Sequence, residues 1–423
     1  MLPALNVNPA GYKESARKTF KLNYAIIVLG ICCLIGFITF AIRGSFGLFF
    51  TSIESEFNLS RTATSLIQSM CQLVSCSIAL YGGWLQDRFG ARKTLIMAAI
   101  LTGTGLLVIS QAKALWQVYA GYSFLVAIGT GSVNAILMAV VARWFVNQRA
   151  FALGIVTSSI SLSAMVAPLI AYLISGYGWQ NTYLFMAIAV FLLWLPGVFL
   201  LKSGSHQADK APPVKKSQPV EQDGLNFKQA LRSSHFWLLC TLAILHAISM
   251  LIVGTHIIPH ALDVGLKVEQ ASIIMVVSGG AGLVARLVIG RLTSESNKKL
   301  IIILSTIFMA VAILWLIVAD NLWMFLAYAV VWGFSMGAID PPLMSLVPDI
   351  FGTYRLGAVF GAMDAAFGAG AAVGPAIAGY IFDISGEYTF AFLLGAILMA
   401  VTVLLVLPLK GGKKSNPVQA APA

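Results

Sequence analysis

Residues 275–291 read MVVSGGAGLVARLVIGR, and between Gln270 and Gly290 the only charged side chain is Arg286. The stretch is apolar enough, and long enough as a helix, to cross the hydrocarbon core of a bilayer, which takes about 20 residues. A guanidinium stays charged, and at the bilayer centre it costs roughly 2.5 to 17 kcal/mol. Snorkelling relieves this only near span ends, and Arg286 lies several residues inside. The arginine therefore needs a partner. One reading is structural, an acidic neighbour or free helix carbonyls. The other is a ligand carboxylate, which the planar fork of arginine grips with two parallel hydrogen bonds.

The rest of the chain fits the same solvent. Of 423 residues, 59% are hydrophobic and 10% charged, against about 25% charged in a soluble domain. The net charge of +11 does not point to nucleic acid, because the basic residues sit in short loops between apolar runs. Cys32, Cys33, Cys71, Cys76 and Cys240 all fall inside those runs, as buried thiols do and a disulfide framework does not. The N-terminus shows no small-residue cleavage site, so the first span is expected to be retained.

Counting runs of spanning length gives twelve, near 22–50, 62–84, 94–112, 115–142, 150–174, 180–201, 235–258, 270–290, 300–319, 322–346, 356–382 and 388–409. The expected organisation is a tail (1–21), a six-helix bundle (22–201), a linker (202–232), a second bundle (233–409) and a tail (410–423). The linker contains HQADKAPPVKKSQPVEQDG, polar and proline-rich. It is followed by FKQALRSSHFW, whose apolar and basic faces suit a short helix lying on the membrane. Of the 27 basic residues, only Arg61, Lys113 and Lys267 fall on the side opposite the termini, and Arg43 and Arg286 lie inside spans. The excess of positive charge puts both termini in the cytoplasm, with the cell membrane as the expected location.

The two halves repeat. GSVNAILMAVVARWF (131–145) and GAIDPPLMSLVPDIF (337–351) match at an offset of 206, bringing Gly131 onto Gly337, Phe145 onto Phe351 and Arg149 onto Arg355. Gly154 meets Gly361 and Pro168 meets Pro375 one residue further on. Such duplications in secondary transporters rock about a substrate site near the midplane.

GWLQDRFGARK (83–93), between the second and third runs, resembles the loop signature of the major facilitator superfamily. Gly83, Leu85, Asp87, Arg88, Gly90, Arg92 and Lys93 fit it, and Gln86 and Ala91 depart from it. In the second half, GRLTSESNKK (290–299) keeps Gly290 and Leu292 but has Ser294 in place of the aspartate. The resemblance implies two pseudo-symmetric six-helix bundles, with Gly83, Asp87, Arg88, Gly90 and Arg92 forming a conformational gate. Gly90 allows a tight reversal, and Asp87 suits a helix start. ARWFVNQRAFALG (142–154), the Phe236-Trp237 pair and the single arginine of the eighth run are similar to the monocarboxylate transporter and oxalate/formate porter branch. There, the resemblance implies, that arginine binds the substrate carboxylate. Oxalate exchangers carry a lysine on the eleventh helix. VFGAMDAAFGAG (359–370) places Asp364 at that position, which disfavours a dianion and suits a monocarboxylate moved with a proton.

Other residues carry two readings each. Asp364 is a structural ion-pair member or a proton carrier, since burial favours the protonated carboxyl and a nearby arginine the ionised one. If Arg286 supports it, a substrate that takes the arginine leaves the aspartate ready to bind a proton. Asp340, before Pro341-Pro342, either stabilises a helix break or serves proton or substrate. Arg43, toward the outer end of the first run, is an anion-access candidate. His246 and His256 titrate in the useful range but more often serve as packing residues. His246 is the next proton candidate. Tyr119, Tyr122, Asn134, Tyr328 and Trp332 are cavity-lining candidates. No metal-ligand cluster, nucleotide loop or nucleophile triad is legible, and GAGAAVG (368–374) lies inside a span with no soluble strand before it. No cofactor and no enzymatic activity are expected. The expected function is proton-coupled carriage of lactate- or pyruvate-like monocarboxylates by alternating access. An organic anion exchanger of the oxalate/formate type or a proton-coupled drug exporter is the runner-up, and a sensor with a carrier fold the remote alternative.

Overall fold

A computed structural model describes residues 9–145, 149–201, 227–293, 297–351 and 356–408. Among these there is no strand. The 202–226 part of the linker, the extreme N-terminal residues 1–8 and the tail from 409 lie outside the described residues.

Ten helical segments are long and apolar enough to cross a membrane among the described residues. One of them, Ala152–Leu200, has 49 residues, too many for one crossing. It divides at Gly178, whose φ of 82° and ψ of 163° no helix contains, so it supplies spans five and six. Arg61–Phe89 is a 29-residue helix with the length of a crossing and forms span two. The twelve crossings are Tyr24–Glu56, Arg61–Phe89, Ala91–Ser110, Leu115–Ala142, the two parts of Ala152–Leu200, Ser234–Asp263, Val268–Leu292, Lys298–Leu316, Leu322–Phe351, Leu356–Ser385 and Thr389–Val406. They form the all-α, two-bundle architecture expected. Between spans two and three the chain turns at Gly90, with φ 79°, a left-handed conformation that costs glycine little. The helix start is Gly90 itself. Gly83 and Asp87 lie within the preceding helix, and the Asp87 side chain is outside the described ones.

Two expectations about spans are corrected. Span one continues to Glu56 after a break at Gly44–Ser45, so Arg43 sits near its middle and not toward its outer end. Span ten stays helical from Leu322 to Phe351, so Pro341-Pro342 does not end it.

The repeat is visible in the packing. A methyl group built on Gly131 of span four would lie 2.6 Å from the Ser75 carbonyl oxygen of span two, and one on Gly337 of span ten 2.1 Å from the Gly282 carbonyl oxygen of span eight. Matched glycines thus bring matched helix pairs to backbone contact, as small residues do where packing drives association in lipid. Between the halves, span two runs along span eleven, span five along span eight, and span one against span seven.

Candidate functional site

Span eight shows why Arg286 is tolerated. Val284, Leu287 and Val288 are exposed on one side. Gly279, Gly282 and Arg286 recur at helical spacing on the other. Gly282 meets span ten, where a methyl group on Gly333 or Gly337 would come within 2.1 Å of the Ser278 or Gly282 carbonyl oxygen. Asp340 lies one turn beyond Gly337, and this zipper delivers it to the arginine. Arg286 Nε and Nη2 both donate to Asp340 Oδ2, at 3.2 and 3.0 Å. On the other flank, a methyl group on Gly279 would lie 2.6 Å from the Ser161 carbonyl oxygen of span five, and Arg286 Nη1 donates to Ser161 Oγ at 2.7 Å. The guanidinium therefore touches both halves.

The acidic partner of Arg286 is thus Asp340, which corrects the expectation that Asp364 supports it. Asp364 is exposed on span eleven, and no ion pair reaches it among the described residues. Its neighbour Ala365 accepts from the Cys76 thiol of span two at 3.5 Å. One turn back on span two, Gln72 accepts a hydrogen bond from Arg43 Nη2. Arg43 and Asp364 therefore flank one turn of span two from opposite halves. A charge from each half thus stands beside span two, on separate helices from the Arg286–Asp340 pair.

The remaining candidates divide. Tyr328 and Trp332 are buried and stack at 5.8 Å between ring centroids. Asn134 is exposed on span four. Tyr119 donates to the Ala63 carbonyl at 3.1 Å and Tyr122 to the Arg43 carbonyl at 3.5 Å, so both act between helices of their own half. His246 is buried, and its Nδ1 has no hydrogen-bond partner among the described residues. On either side of the Gly90 turn, Arg88 stands 5.7 Å from the Phe89 ring centroid and Arg92 5.4 Å from that of Phe199.

One cluster escaped the sequence reading. Arg61, at the face opposite the termini, reaches Glu54 of span one at 3.0 Å, Asp263 of span seven at 2.7 Å and the Tyr388 hydroxyl at 3.2 Å. Its guanidinium stands 4.7 Å from the Phe382 ring centroid. Asp383 of span eleven accepts from the backbone N–H groups of Arg61 and Thr62, both at 2.9 Å. A carboxylate from one half thus caps a helix of the other, completing donors that a helix start leaves unpaired. His256, fully buried, bridges Tyr388 Oη, the Pro375 carbonyl and Ser65 Oγ at 3.0, 3.0 and 3.2 Å. These bonds place His256 beside the Arg61 cluster and join span seven to spans two and eleven. The available signal was Glu54, Asp263 and Asp383 at the same span ends as a lone Arg61. Ser161, among four serines in SSISLS (158–163), carried no signal at all.

Comparison with known proteins agrees with the architecture. The family model described as Major Facilitator Superfamily matches residues 32–297 and, in a second match, 257–423. Monocarboxylate transporter 13 of Bos taurus is 27% identical over 376 residues, covering 88% of this chain and 86% of that protein. Monocarboxylate transporter 11 of Homo sapiens is 25% identical over 413 residues, covering 94% and 83%. Monocarboxylate transporter 12 of Xenopus laevis is 24% identical over 402 residues, covering 90% and 87%. With its twelve crossings, its internal repeat and a family match across nearly its whole length, the chain is a multi-pass membrane transporter, not an enzyme, and belongs to the major facilitator superfamily.

Proposed function

We propose that the chain carries small monocarboxylates of the lactate and pyruvate kind together with a proton, by alternating access across the cell membrane, with both termini cytoplasmic. The observation that carries this is Arg286, a permanent cation at the seam of the halves, held by one carboxylate and one hydroxyl. A guanidinium in that setting recognises a carboxylate in two-point geometry, and the relatives are named as monocarboxylate transporters.

A substrate anion sharing Arg286 weakens the support of Asp340. An opposing charge at about 4 Å is worth roughly 4 kcal/mol at an effective dielectric of 20. Asp340 then favours the protonated state, and anion plus proton cross as a neutral load, which avoids moving an uncompensated charge through a low-dielectric barrier. Asp364 is the second proton candidate, because it faces the seam with no ion pair among the described residues. In this orientation the Arg61 cluster closes the outer side.

Proteoliposome uptake of radiolabelled lactate, with and without an acid-outside gradient, tests the function. A proton gradient should drive uphill uptake in wild type, and Arg286→Ala should abolish both uptake and counterflow. Asp340→Asn should retain counterflow but lose gradient-driven accumulation and most of its pH dependence. If Asp364→Asn shows that pattern and Asp340→Asn does not, the proton site is Asp364. Unchanged lactate binding in Arg286→Ala removes the carboxylate role of Arg286.

A further inference from the structure

A guanidinium offers two edges to a carboxylate, Nε with Nη2 and Nη1 with Nη2. In Arg286 the first edge is taken by Asp340 Oδ2. The Nη1 donor of the second edge is taken by Ser161 Oγ at 2.7 Å, the shortest of the three bonds to this arginine. Ser161 is buried and fixed by the backbone contact between Gly279 and its own carbonyl. It belongs to span five and Arg286 to span eight, so this bond joins the two halves at the substrate site.

We propose that Ser161 occupies the carboxylate-binding edge of Arg286 in the unloaded carrier, so that anion binding and the bridge between the halves exclude one another. The proposal rests on Arg286 as the carboxylate ligand and deepens it into a coupling device. An arriving carboxylate displaces the hydroxyl, takes Nη1 and Nη2 together, and releases a bond that ties span five to span eight. The unloaded carrier keeps the bond, which slows its return without cargo by roughly tenfold but does not block the empty return that net symport needs. Because part of the unloaded population holds the donor in the bridge, the measured affinity is reduced by that fraction. A hydrogen bond to a charged group is worth about tenfold or more in an equilibrium, so removing the competitor should tighten binding by roughly tenfold.

The test uses the purified full chain in detergent, with sodium lactate as the probe against sodium chloride at matched ionic strength. Thermal unfolding gives the melting temperature alone and its rise with lactate, and titration gives Kd. Ser161→Ala should bind lactate roughly tenfold more tightly, with a lower melting temperature without ligand and a larger lactate-induced rise. Ser161→Thr, which keeps the hydroxyl, should restore wild-type values. A hydroxyl with only a packing role would lower the melting temperature and leave Kd unchanged or weaker, and that result overturns the proposal. The arm that separates it from the function itself is Arg286→Ala. Lost binding in Arg286→Ala with unaltered Kd in Ser161→Ala sinks only the bridge, whereas wild-type binding in Arg286→Ala sinks both.

Discussion

Arg61→Ala should open the face opposite the termini, and the size of the effect follows from which partners belong to the other half. Glu54 shares a half with Arg61, so their ion pair survives opening and drops out of the difference. Asp383 binds backbone N–H groups, and its cap survives the substitution. What is lost across the seam is Asp263, the Tyr388 hydroxyl and the Phe382 ring. The Asp263 side chain is 35% exposed, so water screens the pair to about 0.5–1 kcal/mol. The buried hydroxyl accepts from a charged donor, worth about 1.5 kcal/mol, and the ring adds about 0.5 kcal/mol. The closed state should lose about 2.5–3 kcal/mol, moving the open population by roughly 70- to 150-fold. The assay is labelling of native Cys76, which lies on the seam against Ala365, with a membrane-impermeant maleimide. It uses right-side-out vesicles and a background in which the other four cysteines are replaced by serine or alanine. Arg61→Ala should label tens of times faster than its parent, and Arg61→Lys should fall between. A folded Arg61→Ala protein that labels at the parental rate would refute the closure.

Other outcomes are equally specific. Gly337→Ala forces a methyl group to 2.1 Å from the Gly282 carbonyl oxygen. It should lower the melting temperature by several degrees and abolish transport, while Gly361→Ala, with nothing within 4 Å among the described residues, should melt as wild type. Asp383→Ala removes a cap bridging the halves, worth about 1–2 kcal/mol, and should speed Cys76 labelling without altering lactate Kd. Ser175→Ala removes a hydrogen bond to Glu269 on the exposed surface and should change the melting temperature by no more than one or two degrees. Asp87→Asn should slow transport with little change in affinity, read as a fall in maximal rate at constant KM.

The sequence by itself determined the solvent, the number of crossings and the duplication. These depend on quantities that add up along the chain: apolar length, the placement of basic loops, and a register constant at 206 or 207 residues. It also marked Arg286, Asp340, Asp364 and Arg43, because a charge in a span is costly wherever the fold puts it. Pairing was a different matter. Asp340 and Asp364 are equally isolated carboxylates in the sequence, and only the zipper of Gly282, Gly333 and Gly337 decides that Asp340 reaches Arg286. Ser161 was invisible because a serine in a span costs little and signals nothing until a helix from the other half lays a guanidinium on it. Arg61 read as one loop charge among others, since its partners lie 202 and 322 residues away along the chain. Charge and hydropathy are properties of one helix, but a site on the seam of two bundles is defined by which faces meet, and that is settled by packing across the seam.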